Sequence, residues 1–212
     1  PTIRIGKMKM KTNLKKRLWI LRWSLHLGFG HASIHTRRLT LRPLRRRDLA
    51  ALGSILGEPE TARPSGFAPV PSADVPAFYQ ELTRLRSALA LMYQGACIGY
   101  VHVQPYKLSE GPYAGADSVS LGFLLGRSFT GRTCCTTGGA VTGKGLGTEM
   151  LAAVTAYLAR RFDFVFADCF TDNPASRRII EKNGYRYLEN YRMRFDALGE
   201  EKDVECFVHP GK

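Results

Sequence analysis

The first 47 residues contain no aspartate or glutamate, yet they carry 14 lysines and arginines. Beyond them 17 basic and 18 acidic side chains nearly cancel, so the formal charge of +13 resides in the N-terminal arm. A charge confined in this way does not make the remainder a nucleic-acid binder, and no stable nucleic-acid partner is expected. Cysteine is scarce and odd in number: Cys97, Cys134, Cys135, Cys169 and Cys206 include no C-x-x-C pair. That excludes a disulfide framework and a zinc site and suits a reducing compartment, so a cytoplasmic location is expected. His31 and His35 stand four apart with no third ligand type nearby, and no metal is expected. No apolar run reaches the roughly 20 residues that span a bilayer. The nearest, residues 15–30, is interrupted by Arg22 and His26, so no transmembrane segment is expected.

Within the arm, Leu14, Leu18, Leu21 and Leu25 make one helical stripe while Trp19, Trp23 and Leu27 lie opposite, which is poor amphipathicity. Residues 1–35 are therefore read as a basic extension without stable structure. The alternatives are an organellar presequence, which would change the location, or a surface-seeking arm. Residues 36–212 are read as one domain.

The domain opens with a strand over residues 36–44, in which Leu39 and Leu41 alternate with polar residues and Pro43 marks the exit. Asp48 opens a helix through Leu49, Leu52, Ile55 and Leu56 that stops at Gly57. Residues 58–73, with four prolines, read as a loop, and 74–87 as a second helix with Phe78, Leu82 and Leu85 on one face. Strands at 88–93 and 97–104 form a hairpin around Gln94-Gly95-Ala96, and a further strand covers 119–125. A helix follows with Leu146, Met150, Val154, Tyr157 and Leu158 on one face, then a strand at 164–169, a helix from Asn173, and an antiparallel pair at 185–193 and 203–208. This order implies an α/β (α+β) fold: a mixed, mostly antiparallel sheet with helices on both faces.

Two segments carry chemistry. The first is Thr142-Gly143-Lys144-Gly145-Leu146-Gly147-Thr148-Glu149. Glycines let backbone N–H groups approach an anion, and the helix that follows adds unpaired amides and a positive dipole end, so this turn reads as a pyrophosphate cradle. Residues 138–144 nearly spell an NTPase phosphate loop, but Gly145 stands where a Mg²⁺-ligating Ser or Thr is required, and that class is rejected. The second segment is the helix entered through Asn173-Pro174-Ala175-Ser176, with an Asn N-cap and Pro at the first turn, running to Asn183-Gly184-Tyr185.

Together, in this order, the two segments resemble the acetyl-CoA-binding half of the GNAT acetyltransferase superfamily. That family's cradle runs Gln/Arg-x-x-Gly-x-Gly/Ala; Gly145 and Gly147 fill its small positions and Thr142 departs at the first. The Asn173 helix is similar to the ribosomal-protein N-acetyltransferase pattern Asn-x-x-Ser-x-x-hydrophobic-hydrophobic-Glu-Lys-x-Gly-aromatic, and residues 36–44 resemble the opening of RimJ/RimL-type enzymes. The resemblance implies acetyl-CoA at Thr142, Gly143, Lys144, Gly145, Leu146, Gly147, Thr148, Asn173 and Ser176. It also implies that the Ser176 hydroxyl donates to the leaving CoA thiolate. Ile180 stands where other branches place a tyrosine acid, so that role is vacant here.

The implied reaction is direct attack of a primary amine on the thioester, with a protein N-terminal amine as favoured acceptor. A small-molecule amine and a non-catalytic acyl-CoA-binding protein are the alternatives, and a homodimer is left open. The amine must lose a proton before it attacks. Family members often carry Glu just before the Leu-Gly of the strand entering the cradle, where this chain has Ser120. Asp117 and His102 are the candidate bases. Residues 133–144 look like an insertion, because joining Arg132 to Gly145 gives a more typical cradle.

Overall fold

The computed structural model describes residues 13–31, 33–129 and 145–212. Strands β1 (Ile34–His35), β2 (Leu39–Pro43), β3 (Ala88–Tyr93), β4 (Ala96–Tyr106), β5 (Ser118–Leu125), β6 (Phe164–Phe170), β7 (Arg186–Phe195) and β8 (Glu200–Pro210) form one sheet, in the order β1-β2-β3-β4-β5-β6-β8-β7. Every pairing is antiparallel except β5 with β6. The β3–β4 hairpin turns through Gln94 and Gly95, both at positive φ, the two-residue geometry whose twist matches the flanking strands.

Helices α1 (Asn13–Leu27), α5 (Leu146–Leu158) and α6 (Pro174–Lys182) lie on one face, while α2 (Leu49–Leu56) and α4 (Val75–Thr83) cover the other. Side-chain alternation divides the core accordingly. On β4, Val101 and Val103 join Met150, Val154 and Leu158 of α5, whereas Tyr100 joins Leu52, Leu56 and Leu82. The entry to α2 is fixed by Arg42, whose guanidinium grips the buried Asp48 carboxylate at 2.8 and 2.7 Å. Burial alone would raise the Asp48 pKa, but the Arg42 hydrogen bonds hold it below the ordinary carboxylate range.

Asp48 is the N-cap of α2, as expected, and closes a short 3-10 turn, Arg46–Asp48, that leads into the helix. Two expectations need correction. Residues 58–73 are not wholly loop: Pro59 fits a first helical turn, and α3 (Pro59–Ala62) continues into a 3-10 turn at Arg63–Ser65. The largest revision concerns the arm. Residues 13–29 form a helix and its exit, and Trp23, Leu27 and Phe29 belong to the main core. Trp23 and His26 flank Phe162 with ring centroids 5.8 and 4.7 Å away, and Phe29 lies 5.4 Å from Tyr157. Ser24 donates to the Leu85 carbonyl and Tyr157 to that of Leu27, each at 3.0 Å. Gly28, at φ 72°, ends the helix where a Cβ would sit 2.6 Å from the Tyr157 hydroxyl. The buried side is thus the Trp23/Leu27 side, and the regular stripe Leu18, Leu21 and Leu25 is exposed. Periodicity located a stripe but not its partner, because the apolar surface that receives α1 is assembled from residues far along the chain.

Candidate functional site

The site arises where the parallel pair comes apart. Strands β5 and β6 are in register only from Ser118↔Phe164 to Leu121↔Ala167. Beyond Leu121, β5 continues to Leu125 on β4 alone and β6 continues to Phe170 on β8 alone. Among the described residues no strand takes β6's place beside Gly122–Leu125, so backbone groups there face a gap rather than a ladder. Gly122 is exposed although it lies mid-sheet.

A groove of about 370 Å³ occupies the gap, floored by Phe123, Leu124 and Leu125. Gly145, Leu146, Gly147 and Thr148 wall one side at the start of α5, and Asn173, Ala175 and Ser176 the other at the start of α6. Glu60, Thr61, Pro64 and Ser65 close it from α3 and the turn after it.

Gly145 caps α5 in the left-handed region, φ 68°, and its carbonyl accepts from Glu149 N at 3.0 Å. The amides of Leu146, Gly147 and Thr148 precede the first intrahelical bond and stand at the groove with the positive end of the helix dipole. A Cβ on Gly147 would lie 2.8 Å from Ile179 Cδ1, so this glycine lets α5 and α6 approach closely. Glu149 anchors the same turn to the strand region, accepting from the Thr36 hydroxyl at 2.6 Å and from Arg38 N and Nε at 2.8 and 2.6 Å. Burial works to raise its pKa, and the Thr36 and Arg38 hydrogen bonds more than reverse that.

On α6, the buried Asn173 is the N-cap: its Oδ1 accepts from Ser176 N at 3.3 Å and its Nδ2 donates to Ser176 Oγ at 2.9 Å and to Pro64 O at 3.4 Å. With its oxygen occupied as an acceptor, Ser176 keeps its hydroxyl proton available to the groove. Arg177 ties the helix to β8, reaching Glu205 Oε1 at 2.5 Å. Arg178 and Lys182, one turn apart, bring two cations to the groove wall. Sequence reasoning missed this pair; i, i+4 basic residues on a helix facing a glycine-rich turn were the available signal.

Of the expected coenzyme residues, the structure brings together Gly145, Leu146, Gly147, Thr148, Asn173 and Ser176. Thr142, Gly143, Lys144 and the whole of 133–144 lie outside the described residues. The candidate bases are separated. His102 is on β4 opposite Gly122, on the Tyr100 face; burial lowers its pKa and Glu81 of α4 opposes that weakly. Asp117 precedes β5 at the far, paired end of the strand, about 16 Å of extended chain from Gly122. Its carboxylate lies 3.0 Å from His26 Nε2. The structure therefore does not bring Asp117 to the groove. Residues Glu60, Thr61, Pro64 and Ser65 contribute to it, whereas none of 105–118 lines it; Tyr113 packs on Phe164 and Phe166.

A family model described as an acetyltransferase (GNAT) domain matches residues 38–186, more than half of the chain. The chain belongs to the GNAT acetyltransferase family. No curated protein matches it. Among solved structures, a GNAT-family acetyltransferase from Bacillus anthracis superposes with a TM-score of 0.67 at 15% identity, over 84% of this chain and 98% of the other. RimL, a ribosomal L7/L12 alpha-N-protein acetyltransferase in complex with coenzyme A, gives 0.65 at 16% identity over 84% and 98%. An acetyl transferase from Salmonella typhimurium, described as modifying the N-terminal serine of 50S ribosomal subunit protein L7/L12, gives 0.65 at 16% over 85% and 100%. At these identities the likeness is one of fold. Within this acetyltransferase, Ile180 is fully buried in the core, consistent with its having no acid role.

Proposed function

We propose that this acetyltransferase transfers the acetyl group of acetyl-CoA to a primary amine by direct attack, and that the amine is a protein N-terminus. The observation that carries the proposal is the opened β5–β6 seam, which runs from an anion-binding helix end to a serine hydroxyl oriented by its own N-cap. The amides of Leu146, Gly147 and Thr148, with Arg178 and Lys182, suit a diphosphate. The unpaired edge of Gly122–Leu125 suits the amide-bearing arm of the coenzyme, which can add to a strand edge as an extended peptide does.

In the reaction, the amine lone pair attacks the thioester carbonyl carbon, a C–N bond forms, and the C–S bond breaks. The Ser176 hydroxyl stabilises the departing thiolate and passes it a proton, and Ser176 is reprotonated, through water, by the proton that the new amide nitrogen gives up. The match of the Asn173 helix to the ribosomal-protein acetyltransferase pattern supports an N-terminal amine. So does the RimL likeness in fold, since that protein acts on a protein N-terminus.

The test is an acceptor profile: purified protein with labelled acetyl-CoA, offered peptides of varied N-terminus, N-terminally blocked peptides carrying lysine, and small polyamines. Acetylation of free N-termini above the other two groups is expected. Protein that binds acetyl-CoA but acetylates none of them would overturn the enzymatic reading, and preference for polyamines would overturn the acceptor class.

A further inference from the structure

Ser120 leaves β5 without a carboxylate at the level of the reaction, but the neighbouring strand supplies one. Asp168 on β6 is the first residue past the last registered pair, Leu121↔Ala167, and one more step of the ladder would set it beside Gly122. On β6, Val165, Ala167 and Cys169 point into the α5 side of the core, while Phe166 and Asp168 point to the opposite face. His102 and the Ser120 side chain share that face by the same alternation. Space is open there: a Cβ built on Gly122 would meet only the His102 carbonyl, at 4.0 Å.

Asp168 Oδ1 is buried and has no hydrogen-bond partner, a costly arrangement for a carboxylate unless another group completes it. The ionisable groups around it are Tyr106 of β4, Glu189 and Tyr191 of β7, Cys206 of β8 and the adjacent Cys169. None is a permanent cation, and only the Cys206 thiol and the Tyr191 hydroxyl stabilise its charge by hydrogen bonding. A charged ammonium is the partner that this oxygen lacks.

We infer that Asp168 is the general base of the acetyl transfer, its carboxylate taking the proton from the acceptor's ammonium in the open space over Gly122. This rests on the acetyltransferase function proposed above. The ammonium loses one proton to Asp168, and the freed lone pair forms the C–N bond to the thioester carbonyl carbon. The C–S bond breaks, and the proton still on the new amide nitrogen goes to the thiolate side. Asp168 then returns its proton to water. Desolvation, aided by the Glu189 charge, lifts the Asp168 pKa above the usual aspartate range, toward that of a useful base.

The decisive experiment compares kcat/KM against pH for the wild type, Asp168→Asn and His102→Gln, with acetyl-CoA affinity measured by calorimetry. Asp168→Asn should lower kcat/KM near neutrality by about 10²- to 10⁴-fold while leaving coenzyme affinity within a few-fold. The wild-type acid limb should disappear, leaving a rate that climbs with pH throughout. Its melting temperature should be equal or higher, since a buried, underpaired charge has been removed. Asp168→Glu keeps a carboxylate and should retain an acid limb; it also serves if the Asn variant does not fold. An acid limb kept by Asp168→Asn but lost in His102→Gln would overturn the assignment and give the role to His102. A wild type that binds acetyl-CoA and acetylates nothing overturns the function as well. Turnover by the wild type with an unaltered Asp168→Asn profile overturns the assignment of Asp168 alone.

Discussion

The two ends of the β5–β6 seam are built from the same pair of strands and serve opposite purposes. At the closed end the backbones are stitched in both directions: Asp163 N donates to Asp117 O at 2.8 Å, Asp117 N to the Asp163 carboxylate at 2.9 Å, and Gly211 N to Asp163 O at 2.7 Å. Helix α1 covers this end, with His26 on Asp117 and Trp23 on Phe162. At the open end the ladder stops at Leu121, and the walls of the gap come from three different helices. Backbone polarity is satisfied internally at one end and offered to a substrate at the other. Stability and chemistry thus occupy separate stretches of one strand pair, and variants can be chosen to disturb either alone.

The largest effect should come from breaking the closed end. Deleting residues 1–31 removes Trp23, Leu27 and Phe29 from the core and bares Phe162. A single Phe29→Ala should already cost about 3–5 kcal/mol. Urea unfolding should show the deletion shifting the midpoint further than Phe29→Ala, while acetyl-CoA affinity of the folded fraction stays within a few-fold. An unchanged midpoint would return the arm to the status of a detached extension.

At the open end, Gly147→Val places a branched side chain against Ile179 and should force α6 away from α5. Overpacking of this kind costs about 1–3 kcal/mol. Because Asn173, Ser176, Arg178 and Lys182 move with α6, acetyl-CoA affinity should fall at least about tenfold, equivalent to 1.4 kcal/mol. Calorimetry showing wild-type affinity would separate the glycine's packing from the coenzyme site.

Ser176→Ala probes chemistry without architecture. Turnover should drop by roughly ten- to a hundredfold with coenzyme affinity nearly constant, since the thiolate it serves exists only as the thioester breaks. Single-turnover kinetics with unchanged rates would leave Ser176 as an N-cap partner of Asn173 only.

Glu149→Gln should give the smallest change, and it is visible mainly in acid. The folded-state pKa of Glu149 lies below its ordinary value, so its contribution to stability is present above that value and is lost as pH falls through the folded pKa. The variant should therefore lose a little stability near neutrality and show a shallower decline below about pH 4.5. Melting curves from pH 7 to pH 3 that fall in parallel for both proteins would remove Glu149 from this role.

Motif segments were legible because their signals are local. Asn173 reads as an N-cap from its place before Pro174, Gly145 and Gly147 from their position ahead of an apolar helix, and the β3–β4 hairpin from Gln94-Gly95. In each case the backbone geometry is satisfied by residues within a few positions. The base was not legible for the opposite reason. In the sequence Asp168 is a lone polar residue in an apolar strand, and nothing nearby in the chain indicates that β5 stops pairing one residue before it. Residue type points to Asp117, and alternation with Val101 and Val103 points to His102, but neither signal locates the open end of the seam, and Asp117 lies at the wrong end of the strand.

By itself, then, the sequence determined most secondary elements of residues 36–212, the mixed character of the sheet, the glycine turn at the start of α5 and the Asn173–Ser176 pair, since these follow from periodicity, capping and turn chemistry over short spans. Tertiary structure alone decided three matters: which face of α1 is buried, where the parallel seam opens, and that Arg178, Lys182, Ser176 and the α5 amides share one groove. These depend on pairings between residues tens of positions apart, whose energy comes from surface buried jointly by elements that no local pattern relates.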